Sequence, residues 1–434
     1  MSKVTVKKLS AGKSLQGEVK VPGDKSISHR ALILGAMAPG PTRIEGLSMS
    51  DAVGSTWTCL RELGVNIVSR AEVTTVSGRG WRGLAQPHKT LDAGGSATSM
   101  RLVMGLLASN PVAGTLAGNE SLSKRPMGRV AEPLRRMGAI IDMAPGDLPP
   151  VEVRGAALNG IDHLSAVASA QLKSSLLIAG VQSMGVTSVT EPCLSRDHTE
   201  RMLPLFGIPV EREGLKVSVQ GGLRMSPARL VVPGDLSSAA FWLVAASLVP
   251  GSKVRLAGVG VNPTRSGALE VLQRMGADVR VEPADLGEDA GTEPAARLEV
   301  GHAKLSAADV APEEVPRLID EIPILALAAS LADGISLFRG LGELRHKESN
   351  RLEGLAGLLR SLGAKAEASG DDLAIEGVPS LKGASVSASG DHRLAMTALV
   401  AGLAAEGETA VDDASCVDAS YPGFLKDLSR LGGL

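Results

Sequence analysis

Six segments of the chain share one design, in which an apolar-periodic stretch ends in Leu-x-x-(Leu/Met/Phe)-Gly: Leu60 to Gly64, Leu134 to Gly138, Leu203 to Gly207, Leu272 to Gly276, Leu359 to Gly363 and Leu428 to Gly432. Each glycine predicts a left-handed helix stop, because a residue without Cβ enters that backbone region at least cost. The stops recur at about 70 residues, with one interval nearer 87. A fixed period means a repeated structural unit, and six units must be accommodated. Alternating runs such as Val4-Thr-Val-Lys, Pro150-Val-Glu-Val-Arg154, Lys216-Val-Ser-Val-Gln220 and Leu373-Ala-Ile-Glu-Gly377 lie between them and predict half-buried strands. The fold class is therefore α/β.

A second recurrence divides the six units. Val21-Pro-Gly-Asp-Lys-Ser-Ile-Ser-His-Arg30 leads into an apolar helix, and Val232-Pro-Gly-Asp-Leu-Ser-Ser-Ala-Ala-Phe241 repeats the arrangement without its cations. Two similar domains of three repeats each follow, with crossings near Pro22 and Pro233. One comprises residues 1–22 plus 233–434, the other residues 23–232. The segment 282–296, rich in Ala, Gly, Asp, Glu and Pro, fits the long interval and reads as a surface loop within a domain, not as a boundary.

The first Val-Pro-Gly-Asp block is an anion site in composition. Asp24 or Ser26 can cap the helix, while Lys25, Ser26, Ser28 and Arg30 offer donors where free N–H groups and the dipole favour negative charge. Similar polar clusters occur at 94–101, 120–128, 169–173, 195–198, 320–323, 344–351 and 390–393. Five of the eight fall in the domain 23–232. Converging, they would make a pocket for small, multiply anionic molecules, because Arg grips phosphate and carboxylate bidentately and Lys adds point charge.

Other classes are poorly served. Lysine and arginine total 45 against 47 acids, a net charge of -2, and aromatics make up 2%, which argues against a nucleic-acid surface. No apolar run reaches the roughly 18 to 20 residues a membrane span needs, and Cys59, Cys193 and Cys416 match no disulfide or metal spacing. A cytoplasmic protein is expected. Gly12-Lys13-Ser14 lacks the first glycine of a P-loop, and Gly258-Val-Gly260 runs into Pro263 where a dinucleotide fingerprint needs Gly or Ala. Neither HExxH nor a Cys/His cluster occurs, so no metal and no cofactor is expected.

The motifs VPGDKSISHR, AGGSATSMR, SLSKRPMG, SAQLKS, DEIPILALAA, ELRHKESNRL and GDHRLAM stand in an order that resembles the enolpyruvyl transferase family along essentially the whole chain. The resemblance implies an inside-out α/β barrel architecture of two domains joined by two hinge crossings. It implies transfer of enolpyruvate from phosphoenolpyruvate to the 5-hydroxyl of shikimate 3-phosphate, in aromatic amino acid biosynthesis, by a monomer that binds neither nucleic acid nor membrane. Lys25, Ser26, Arg30, Ser169, Ala170, Gln171, Arg196, Asp320 and Lys347 are implied to hold shikimate 3-phosphate. Lys25, Ala97, Arg125, Gln171, Arg351, His392 and Arg393 are implied to hold phosphoenolpyruvate. Catalysis is implied to fall to Asp320 as base, Glu348 as proton donor and acceptor at the methylene carbon, and Lys25. Arg101 is expected to be structural. Asp320 and Glu348 are also candidates for helix caps, Asp320 directly before an apolar run.

Three features refine the resemblance. Gly95 stands where many relatives have Asn, and Ala419-Ser-Tyr-Pro422 where one branch has a phosphoenolpyruvate-binding Lys, which places the chain nearer the other branch, class II. Ala97 stands where glyphosate-sensitive relatives carry Gly, implying tolerance. A related enzyme acting on a UDP-linked amino sugar typically carries Cys in the loop corresponding to 116–128, and none is present here. An inactive binding protein of the same fold is the other alternative, and two acids beside an anion site argue against it.

Overall fold

The computed structural model describes residues 3–9, 13–284 and 293–432, which group into two compact units. The inserted unit comprises Gly23–Pro233 together with Glu293, and the terminal unit comprises the described residues of 1–22, 234–285 and 294–434.

The inserted unit contains helices α1 (Lys25–Met37), α2 (Asp51–Glu62), α3 (Ala97–Ala108), α4 (Glu120–Ser123), α5 (Gly128–Met137), α6 (Ala170–Val181) and α7 (His198–Met202). Of these, α1, α3 and α6 are apolar nearly all round and buried, as the absence of a polar stripe requires. Three four-stranded sheets surround them. Their strand orders are Arg229–Val231, Pro39–Glu45, Val73–Arg79, Asn66–Arg70; then Leu91–Asp92, Ala113–Ala117, Leu148–Arg154, Ile140–Ala144; then Asp162–Leu164, Val186–Thr190, Lys216–Gln220, Val210–Glu213. In every sheet the first pair is parallel and the other two are antiparallel.

The terminal unit repeats the plan with α8 (Leu236–Leu248), α9 (Gly267–Arg274), α10 (Ile322–Ser330), α11 (Arg351–Ser361), α12 (His392–Ala404) and α13 (Phe424–Arg430). Helices α8, α10 and α12 are its buried trio, and α8 buries 12 of 13 residues. One sheet, Gln16–Val19, Lys253–Gly260, Ala295–Gly301, Asp278–Pro283, has the four-stranded pattern. The sheet of Ile335–Phe338, Asp372–Glu376 and Lys365–Ser369 has only a parallel bridge, Val310 to Phe338, in the first place. The last, Ser385–Val386, Glu408–Val411 and Val4–Lys7, recruits the first strand of the chain. Among the described residues the strands of each unit form separate sheets outside the buried helices and close into no continuous barrel. Among the described residues no helix is long and apolar enough to cross a membrane.

All six repeat glycines have positive φ, from 79° at Gly207 to 114° at Gly138, so the helix stops are where the sequence puts them. The two Val-Pro-Gly-Asp blocks form matching crossings. The Asp24 N–H donates to Pro233 O and the Asp235 N–H to Pro22 O, each at 2.8 Å. That bond groups Pro233 with the inserted unit, one residue beyond the boundary read from the sequence.

The segment 282–296 departs from expectation. Glu282 and Pro283 pair with Arg297 and Ala296, so its ends are a hairpin, because the strand pattern outlasts the low-complexity composition. Residues 285–292 lie outside the described residues. Glu293 is not on the surface: it is buried, groups with the inserted unit, and places Oε1 2.7 Å from His198 Nδ1. The segment therefore does mark a boundary between units.

Candidate active site

In the inserted unit the N-terminal turns of α1, α3 and α6 lie together. Asp24 caps α1, its Oδ1 accepting from the Ile27 N–H at 2.9 Å, and leaves Lys25 and Ser26 half-buried at the helix entrance. Ser96 caps α3, making Ala97 the first helical residue, 8% exposed. Ser169 caps α6, and Ala170 and half-buried Gln171 follow. Gln171 bridges two of these turns: its Nε2 donates to Thr98 Oγ1 at 2.8 Å and its Oε1 accepts from Arg101 Nη1 at 2.5 Å. Arg101 also donates to Pro126 O at 3.0 Å, beside Arg125. The arginine read as structural thus orients a predicted ligand.

Three arginines of this unit differ in what they hold. Arg30 is buried and donates to Ser26 O, Ser174 Oγ, Ala170 O and Thr199 Oγ1, so it ties α1, α6 and α7 together at the site. Arg196 Nη1 donates to Ser26 Oγ at 3.3 Å. Arg125 is 9% exposed, makes one long bond of 3.4 Å to Ser121 Oγ, and has a buried Nε without a hydrogen-bond partner. A buried guanidinium with a donor to spare is chemically suited to an anion.

In the terminal unit the centre is Asp320. Its carboxylate oxygens lie 3.5 Å from Lys347 Nζ, 3.7 Å from Arg351 Nη1 and 3.8 Å from Arg393 Nη2. Arg351, at the start of α11, is buried, and pairs with Asp391 through Nε at 2.9 Å and Nη2 at 3.2 Å while also donating to Glu348. Burial opposes the Arg351 charge, but the Asp391 and Glu348 carboxylates outweigh it and raise its pKa above the usual arginine value. Asp391 also caps α12, accepting from the Arg393 N–H at 2.9 Å, which sets His392 and Arg393 on the first turn. Glu348 is the most open of the set, with 30% of its side chain exposed. Neither predicted acid is a cap. Glu321 occupies the N-cap of α10 and Asn350 that of α11, because each helix begins later than the apolar pattern suggested.

Most predicted site residues therefore lie in or just before the first two turns of α1, α3, α6, α11 and α12 in their own units, whereas Arg125 sits between α4 and α5, Arg196 just before α7, and Asp320 and Lys347 in the turns before α10 and α11. Two features escaped sequence reading. The position of a side chain at Gly95 is 3.0 Å from Asn119 Nδ2, so the Asn119 amide crowds the space beside Gly95. Asp197, His198 and Glu293 bring potential ligand atoms within 4.8 Å of one another, a grouping formed by sequence-distant residues. Asp197 also pairs with Arg201 at 2.9 Å and lies 3.7 Å from Arg212.

Two units of three repeats, with cations and acids gathered at the N-termini of buried helices, define an anion-handling α/β protein of enolpyruvyl transferase architecture. The family described as EPSP synthase (3-phosphoshikimate 1-carboxyvinyltransferase) matches residues 9–428, and the chain belongs to it. A Bacillus cereus (strain 03BB102) protein named 3-phosphoshikimate 1-carboxyvinyltransferase is 46% identical over 432 residues, 99% of this chain and 100% of its own length. A Bacillus anthracis (strain A0248) protein of the same name is 45% identical with the same coverage. The structure of EPSP synthase from Acinetobacter baumannii superposes with a TM-score of 0.87 at 39% identity, over 99% of this chain and 98% of that one.

Proposed function

We infer that the chain is a 3-phosphoshikimate 1-carboxyvinyltransferase, which moves the enolpyruvyl group of phosphoenolpyruvate to the 5-hydroxyl of shikimate 3-phosphate and releases phosphate. The observation that carries this reading is the Asp320, Arg351, Glu348 and Asp391 cluster within a family member. A pure anion binder gains nothing from setting carboxylates among its cations.

Glu348 gives a proton to the methylene carbon of phosphoenolpyruvate, which builds positive charge at C2. The 5-hydroxyl oxygen attacks C2 while Asp320 accepts its proton, giving a tetrahedral adduct. Glu348 then takes a proton back from the new methyl group as the C–O bond to phosphate breaks, and the hydroxyl proton leaves with the phosphate. Arg125, Arg351 and Arg393 stabilise the phosphate and carboxylate charges through these steps, with Lys25, Ala97, Gln171 and His392 completing the phosphoenolpyruvate contacts. Lys25, Ser26, Arg30, Ser169, Ala170, Gln171, Arg196, Asp320 and Lys347 hold shikimate 3-phosphate. Both substrates are small, free and highly charged, and a cytoplasmic monomer suffices for the reaction.

The test is phosphate release from phosphoenolpyruvate. Release that requires shikimate 3-phosphate supports the reading. Release driven by a UDP-linked amino sugar, or none with either acceptor, contradicts it.

A further inference from the structure

Behind the N-terminus of α6 lies a buried charge network that none of the steps above uses. Lys173 Nζ is 2.6 Å from Glu191 Oε2 and 2.6 Å from Glu200 Oε1, and all three side chains are at most 4% exposed. Arg212 holds the second oxygen of Glu200 from the outer side. Two carboxylates thus face two cations. Such a cluster is tolerated in a core only when charges balance and the remaining lone pairs are satisfied, and it contributes little to stability compared with an apolar filling.

The remaining lone pairs of Glu191 show what the cluster holds. Its Oε1 accepts from the backbone N–H of Ser169 at 3.0 Å, and its Oε2 from the Ser195 hydroxyl at 2.9 Å and the Ser195 N–H at 3.4 Å. Ser169 is the cap of α6, and Ser195 immediately precedes Arg196, which reaches Ser26. One carboxylate therefore ties the α6 cap, 22 residues before it, to the turn four residues after it, and each presents a ligand read above for shikimate 3-phosphate. Gln171, read as a ligand of both substrates, is fixed instead by Thr98 and Arg101.

We propose that Glu191, seated by Lys173, is a positioning residue that sets Ser169 and Arg196 in register for shikimate 3-phosphate. The inference rests on the functional reading above and names a determinant of that same site. It requires that perturbing Glu191 be felt by one substrate and not the other.

Steady-state phosphate release and thermal melting are to be measured for the wild type, Glu191→Gln, Ser195→Ala and the double variant Glu191→Gln/Lys173→Met. In Glu191→Gln the KM for shikimate 3-phosphate rises about tenfold or more, the weight of lost charge-assisted hydrogen bonds, while kcat and the KM for phosphoenolpyruvate stay within about threefold. Ser195→Ala removes one arm without disturbing buried charge and raises the same KM by a few-fold, so the idea stays testable if Glu191→Gln does not fold. The double variant restores charge balance and recovers melting temperature, yet keeps the high KM. A KM for shikimate 3-phosphate that is unchanged in Ser195→Ala, or that recovers together with melting temperature in the double variant, overturns the proposal. A wild type that ignores shikimate 3-phosphate overturns the functional reading itself, and the inference with it.

Discussion

Arg351 and Asp391 form an ion pair sealed from solvent, with two guanidinium nitrogens at 2.9 and 3.2 Å from the two carboxylate oxygens. Burial acts to raise the Asp391 pKa. The Arg351 charge and hydrogen bond, with help from His392, outweigh it and hold the carboxyl below its ordinary value. A depressed carboxyl pKa contributes stability above the unfolded value, about 3.9, that is lost as pH falls through the folded one. Asp391→Asn should therefore be destabilising at neutral pH, by up to about 3 to 5 kcal/mol, because Arg351 loses its buried partner and keeps only the more open Glu348 and the more distant Asp320. It should also raise the KM for phosphoenolpyruvate, since the same carboxylate orients Arg351 and caps α12. Chemical denaturation alongside kinetics checks both, and a variant as stable as the wild type contradicts the prediction.

Arg125 and its unsatisfied Nε give a second expectation. Arg125→Ala should weaken phosphoenolpyruvate binding by about 2 to 5 kcal/mol, the cost of removing a desolvated charge partner. An effect confined to shikimate 3-phosphate would reverse the assignment of the two subsites.

Ala97 is 8% exposed on the first turn of α3 and packs into the core of its unit. Glyphosate is longer than phosphoenolpyruvate, so if Ala97 faces the phosphoenolpyruvate subsite as proposed, its methyl crowds the inhibitor more than the substrate. Overpacking of that size costs about 1 to 3 kcal/mol, or roughly one to two decades in affinity. Ala97→Gly should lower the glyphosate inhibition constant accordingly, with a smaller change in the KM for phosphoenolpyruvate. An inhibition constant unmoved by the substitution places the methyl in the core alone.

His29 is a pH-sensitive core residue. Burial, with Lys25 and Arg30 adding to it, lowers its pKa to about 3, and its Nδ1 lies 2.7 Å from Thr56 Oγ1. The unfolded chain binds a proton near pH 6.5 that the folded chain refuses until near 3. Stability from this residue is therefore complete above about 6.5 and falls toward pH 3, at up to about 1.4 kcal/mol per pH unit. Denaturation between pH 7 and 4.5 should show a shallower decline for His29→Gln than for the wild type, and parallel curves would contradict it.

The repeat was legible because its signals are local. A glycine at a helix end, an Asp before a buried helix and alternating strands are written in neighbouring residues, and Gly64, Asp24 and Lys216–Gln220 behave as those neighbours demand. Candidate site ligands could be named because their motifs are short and stand in family order. What the sequence could not show was anything held by partners distant along the chain. Glu191 looks like a loop acid until Ser169 folds onto it, and Glu293 looks like part of an exposed acidic stretch until His198 meets it. The cap positions of α10 and α11 failed for a related reason: apolar periodicity marks the buried face, whereas the true start depends on the backbone turn before it.

In the proposed addition and elimination, Glu348 protonates and then deprotonates one carbon. Running the reaction in deuterium oxide and examining the product by proton and carbon NMR tests it directly. The expected product is a vinyl ether on the 5-oxygen of shikimate 3-phosphate with solvent deuterium in its methylene group, and turnover falls by roughly 10² to 10⁴ in Glu348→Gln. A methylene group free of deuterium at full conversion, or a Glu348→Gln variant that turns over like the wild type, would contradict it.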